Sequence, residues 1–167
     1  MKNFTKIIFL LTVFYLAGCA PSPKQASKYN NMLISQQRAV IDKMDNLIAS
    51  FTTYNSQEMH DAYNALIKQI NHSLDTLQKV KAFDGSTEFR DTTIKLIRFY
   101  KQVSENELRQ VMDLLSKPQN EYTSEDAVKV SRLMMEAQDK VSAANERFKK
   151  YQESFAKKYN LSLTLKQ

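Results

Sequence analysis

Residues 123–160 read TSEDAVKVSRLMMEAQDKVSAANERFKKYQESFAKKYN, with neither proline nor glycine to interrupt them. Val130, Ala137, Ala144 and Tyr151 recur every seven residues, and so do Met134, Val141, Phe148 and Phe155. Interleaved, the two sets make one apolar stripe of a/d type over about four heptads, with Lys, Glu and Gln elsewhere. The Thr123 hydroxyl can cap the start, with Glu125 and Asp126 in a first turn that favours acids. Lys157 and Lys158 suit the negative end of the helix dipole, and the helix ends near Tyr159-Asn160.

Working towards the N-terminus, the same period returns. A helix is expected from about Pro23 to Thr53, with Leu33, Val40, Met44, Leu47, Phe51 and Tyr54 on one side and Ile41 and Ile48 beside them. Asn55 followed by Glu58 is a capping-box arrangement for a second helix, which carries Met59, Tyr63, Leu66, Ile70, Leu74 and Leu77. Asp84-Gly85 is expected to stop that helix, since glycine tolerates the left-handed turn beyond a helix end. A third helix follows Ser86-Thr87-Glu88 through Phe89, Leu96, Tyr100, Val103, Val111 and Leu114 or Leu115, until Pro118 ends it. Ile41, Ile97 and Leu108 flank these stripes and read as core breadth or as a face for a second copy.

Helices of this length with short links force antiparallel neighbours. The expected fold is all-α: an up-down-up-down four-helix bundle over residues 28–160 with a tail at 161–167. A three-helix bundle with one broken element and an extended coiled-coil hairpin are the alternatives. Gly85 and three prolines are the sole breakers after residue 18, too few for a turn-rich β protein.

The N-terminus carries a different message. Lys2 and Lys6 precede an apolar run from Ile7 to Leu16, which spans roughly 15 Å as a helix, half a bilayer core. That is the length of an export signal, not of a membrane span. The run closes on Leu16-Ala17-Gly18-Cys19, with two small residues before the one cysteine of the chain. This stretch resembles the lipobox of bacterial lipoproteins. The resemblance covers residues 1–19 and implies recognition of Leu16, Ala17 and Gly18 by type II signal peptidase, cleavage before Cys19 and lipidation of its thiol. It also implies a bacterial cell-envelope location, with the membrane as a partner through the lipid on Cys19. Ala20 in place of Asp after the cysteine is similar to proteins sorted to the outer membrane, and the lack of an acidic cluster there departs from surface-export signals. The helical remainder is similar to small four-helix surface or periplasmic lipoproteins of unknown function, from which no ligand residue carries over. Residues 1–18 are then a signal peptide, and 19–27, with Pro21 and Pro23, the lipidated cysteine and a short tether.

Cleavage before Cys19 removes two lysines and no acid, which leaves a net charge of +4, spread along the chain and not gathered in a patch. Nucleic acid is not an expected partner for an exported chain. His60 and His72 have Gln57 and Gln69, not Glu, three residues before them, so the Glu-x-x-His pairs of di-iron bundles are missing and no metal is expected. One cysteine excludes a Cys-x-x-Cys-His haem attachment, and the one glycine left after residue 18 excludes a phosphate-cradling loop. No enzyme and no cofactor are expected. The function that remains is a non-enzymatic, lipid-anchored module that binds another envelope protein; the alternative is a bundle that takes a small molecule in an aromatic pocket between helix ends. Tyr63, Phe89, Phe99 and Tyr100 are the candidate residues for such a pocket or partner face, because adjacent Phe99 and Tyr100 cannot share one narrow stripe. Lys149-Lys150 and Lys157-Lys158 form a basic end that reaches anionic headgroups if it lies on the membrane side.

Overall fold

A computed structural model describes residues 21–162. Leu16, Ala17, Gly18 and Cys19, and the end of the C-terminal tail, lie outside the described residues. Ser22 starts the first helix, α1, Pro23–Ser50. Its backbone N–H donates to Gln25 Oε1 at 2.8 Å and its Oγ accepts from the Gln25 N–H at 3.3 Å, a closed capping box. Pro23 occupies a first-turn position, where its missing N–H costs nothing. Residues 23–27 are therefore helical, in keeping with the helix expected from about Pro23 and not with the tether expected over 19–27.

A 3-10 turn, Phe51–Thr53, and Tyr54 at φ 51° lead to α2, Ser56–Gln78, whose N-cap Asn55 accepts from the Gln57 and Glu58 N–H groups. This helix stops six residues before Asp84-Gly85. Phe83 and Ser86 exchange two backbone hydrogen bonds, at 2.9 and 3.0 Å, around Asp84 and Gly85 at φ 51° and 72°. Two consecutive positive φ values make a tight I′-type turn, so Gly85 serves that turn and does not cap a helix.

The third rod begins with α3, Glu88–Val103, widens into a π turn at Ser104–Leu108 and resumes as α4, Arg109–Leu115. It ends just before Pro118, as expected. The last helix, α5, Ser124–Lys158, has Thr123 at its N-cap, with the Asp126 N–H and carboxylate closing a capping box at 3.2 and 3.0 Å. Four antiparallel rods thus form an all-α, up-down-up-down bundle. No helix of the described residues is long and apolar enough to cross a membrane.

The core is built mainly by the first three rods. Leu33, Val40, Leu47, Met59, Leu66, Ile70, Leu77, Ile97, Tyr100, Leu108 and Val111 are all without solvent exposure. Ile97 and Leu108 are thus core, whereas Ile41 stays half-exposed. The a/d stripe of α5 is buried at Ala137, Ala144 and Phe148 but half-exposed at Val130, Met134, Val141, Tyr151 and Phe155. α5 packs on α3 and α4, and α1 packs on α2, but α1 and α5 are not closely packed along their length. The half-exposed stripe follows from that separation.

Candidate functional site

The gap between α1 and α5 is a cleft of about 520 Å³. Ile41, Met44 and Ile48 form one wall, Met134, Ala137 and Val141 the other, and Leu108 lies between. The wall residues on α5 run from Met134 to Glu146, roughly 18 Å of helix. The polar members are Asp45, Gln138, Ser142, Asn145 and Glu146, two acids and no base.

The π turn supplies the floor. Val103 and Leu108 are both buried although they stand five residues apart. Glu107, 8 % exposed, also turns inward, where its carboxylate accepts from Lys140 Nζ of α5 at 2.5 Å. That hydrogen bond raises the Lys140 pKa. At one end of the cleft a polar node links three rods. Gln37 Nε2 donates to the Tyr100 hydroxyl at 3.1 Å, and that hydroxyl donates to Asn145 Oδ1. Burial pushes the Tyr100 hydroxyl up to about 12, against the pull of its two hydrogen-bond partners.

A second hollow, about 300 Å³, opens at the end of the bundle where α1 begins and α5 finishes. Tyr29 stacks on Phe83 with ring centres 4.7 Å apart, Phe89 lies 4.6 Å from Phe155, and Phe155 lies 4.7 Å from Tyr159. The turn at 83–86 is pinned there: the Tyr159 hydroxyl donates to Asp84 Oδ2 at 2.7 Å, and Lys158 Nζ donates to the same oxygen at 3.2 Å. These bonds, the one from Tyr159 foremost, hold the Asp84 carboxyl below its ordinary range. The Tyr29 hydroxyl is buried with no hydrogen-bond partner among the described residues, and burial raises its pKa.

The four candidate aromatics do not form one site. Phe89 belongs to the aromatic end and is 4 % exposed. Tyr100 is fully buried at the polar node. Tyr63 is buried on α2, with the Arg109 guanidinium 5.5 Å above its ring. Phe99 is half-exposed in a separate shallow depression beside Leu96 and Phe148. None of the four lines the cleft. The residues that do were visible as stripe members or as the flanking pair Ile41 and Ile48, but no sequence signal marked the separation of α1 from α5.

Charge is not spread evenly. The level of Gln37, Tyr100 and Asn145 divides the bundle into two halves. The half that holds the start of α1, residues 21–36, 73–99 and 146–162, carries 12 Lys and Arg against 6 Asp and Glu. The other half, residues 37–72 and 100–145, carries 9 against 12. The fold therefore gathers a charge that looks dispersed along the chain, because antiparallel rods bring distant segments to one end. Compared with known proteins, the chain matches no family, no curated protein and no solved structure.

Proposed function

We propose that this chain is a lipid-anchored, non-enzymatic protein of the bacterial cell envelope, held by Cys19, whose α1–α5 cleft receives a segment of another envelope protein. The cleft is the observation that carries this reading. Its walls are apolar, it lies mainly in the half of the bundle away from the tether, and its rim holds Asp45 and, at the boundary of the halves, Glu146, without a base. Those features fit an amphipathic helix of two to three turns, with an apolar face inward and basic residues at its edges. Outer-membrane attachment follows from the same signal, with Ala20 after the cysteine.

Position-dependent photocrosslinking of the lipidated protein in cells tests it. A photoreactive residue at Met134 is expected to give one recurrent adduct, and the same probe at Val128, 70 % exposed and outside the cleft, none. The adduct is expected to map to a basic amphipathic segment and to weaken with Asp45→Lys and Glu146→Lys. Equal yields from both probes, or adducts with abundant bystanders alone, sink the reading.

The aromatic end supports a second reading, a small aromatic ligand in the 300 Å³ hollow that pairs with the free Tyr29 hydroxyl. Its volume sits at the lower limit of ordinary ligand sites. Thermal-shift screening of aromatic acceptors against the wild type and Tyr29→Phe decides it. A hit lost with the hydroxyl supports the reading; no shift ends it.

A further inference from the structure

We propose that the tether end of the bundle is a docking surface for an anionic phospholipid leaflet, which holds the rods upright and turns the cleft away from the membrane. The direction of the bundle relative to the anchor rests on lipidation at Cys19; the surface itself rests on geometry. The start of α1, the 83–86 turn, the start of α3 and the end of α5 meet at one end. Tyr29 stacks on Phe83, Phe83 sits edge-on to Tyr159 at 5.3 Å, and Gln152 Nε2 donates to Asn30 Oδ1 at 3.0 Å. This end belongs to the half with 12 basic and 6 acidic residues.

Two of those acids are already engaged, Asp84 by Lys158 and Tyr159 and Asp91 by Arg90 and Thr87. Lys24, Lys28, Lys79, Lys81, Lys150 and Lys157 are exposed, and none has a carboxylate within ion-pair distance among the described residues. The first turn of α1 adds a local conflict. It holds Lys24 and no acid, against the preference of a helix N-terminus for negative charge. α2 and α5 do place acids in their first turns. Helix stability gives no reason for the lysine, whereas a negative surface below it does.

Distance closes the case. Two residues separate Cys19 from Ser22, so three steps of extended chain reach at most about 10 Å. The field of an anionic leaflet decays over about 8 Å at physiological salt, so a lipid on Cys19 keeps these lysines within its reach.

Vesicle flotation of the chain from residue 19 onward, with Cys19→Ala, tests the surface without the anchor; every contact described above lies within residues 21–162. Binding is expected to phosphatidylcholine vesicles that contain phosphatidylglycerol, to fall as salt rises, and to be absent from pure phosphatidylcholine. At about fivefold per surface lysine, Lys150→Gln with Lys157→Gln weakens it roughly 25-fold. Lys43→Gln with Lys129→Gln, at the other half of the bundle, leaves it within about twofold. Circular dichroism confirms that each variant is folded. Equal binding to both vesicle types, or an equal loss from the two pairs of substitutions, overturns the proposal. Mass spectrometry of the processed protein from cells decides the anchor separately. An unmodified Cys19 sinks lipidation and leaves the vesicle result standing, whereas a lipidated Cys19 with no vesicle preference sinks the docking surface alone.

Discussion

Leu108 and Leu66 are both without solvent exposure, yet their truncation is expected to cost different amounts. Leu→Ala removes three carbons, worth about 2.4 kcal/mol of transfer free energy at ~0.8 kcal/mol each. Leu66 lies in the interior between α1, α2 and the third rod, so its truncation leaves an enclosed void. At ~24 cal/mol per Å³, a void of roughly 80 Å³ adds about 2 kcal/mol, for a total near 4.4 kcal/mol. Leu108 borders the cleft of about 520 Å³, so the space it vacates joins volume already open to solvent. Most of the cavity cost is then absent, and about 2.4–3 kcal/mol is expected. Urea denaturation followed by far-ultraviolet circular dichroism measures both, with unchanged m values as the check that only stability has moved. A Leu108→Ala cost equal to or above that of Leu66→Ala refutes the reasoning. It would mean that α1 and α5 close over Leu108 in solution and that the cleft is not there to be filled.

Three further outcomes follow from single groups. Asp126 is held down to about 2, first by its hydrogen bond from Lys117 and next by the backbone N–H of Thr123, against an ordinary value of 3.8. A lowered carboxyl stabilises the fold above its unfolded value and ceases to do so as pH falls, so this contribution disappears between about pH 4 and about pH 2. Melting temperatures recorded down this range are expected to fall more steeply in the wild type than in Asp126→Asn. At the alkaline side, burial raises Tyr100 and Tyr151 to about 12. The unfolded chain then loses these protons first, so stability falls as pH rises from about 10 to about 12, with Tyr100→Phe less sensitive in tyrosinate absorbance and melting. Gly85 sits at φ 72° with nothing within 4 Å of the position a Cβ would take. Gly85→Ala therefore meets no clash, and its cost of about 1 kcal/mol is backbone strain alone, measurable by urea denaturation.

Most of the fold was legible because helix signals are local. Thr123, Asn55 and Pro118 marked boundaries that the backbone keeps, since a capping side chain or a missing N–H acts within one turn. Pro23 and Gly85 each fit two local structures. Proline in the first turn of a helix and proline in a tether look alike until Ser22 and Gln25 close their box. Glycine beyond a helix and glycine inside a tight turn both need positive φ, and the Phe83–Ser86 pairing chooses between them. The site was less legible, because it is a property of rod spacing. Ile41, Ile48, Met134 and Val141 stood out as apolar, but the same residues would have sealed the core had α5 packed against α1 as it does against α3.

The π turn connects that spacing to the sequence. An α-helix turns 100° per residue, so over five residues Leu108 would stand about 140° round from Val103. The widened turn at Ser104–Leu108 brings both inward, together with Glu107. In the sequence, the next apolar residue after Ile97, Tyr100 and Val103 is Leu108, five positions on, across the polar run Ser104-Glu105-Asn106-Glu107. An inward Glu107 needs a cation, and Lys140 supplies one from α5 across the interior edge. A buried acid tied to α5, with Leu108 beside it as the cleft floor, fixes α5 on the third rod rather than over α1. Bulges of this kind persist at functional sites because their cost in helix geometry brings a side chain to a place no regular helix can put it. Here that place is the bottom of the cleft, with the acids Asp45 and Glu146 at its rim.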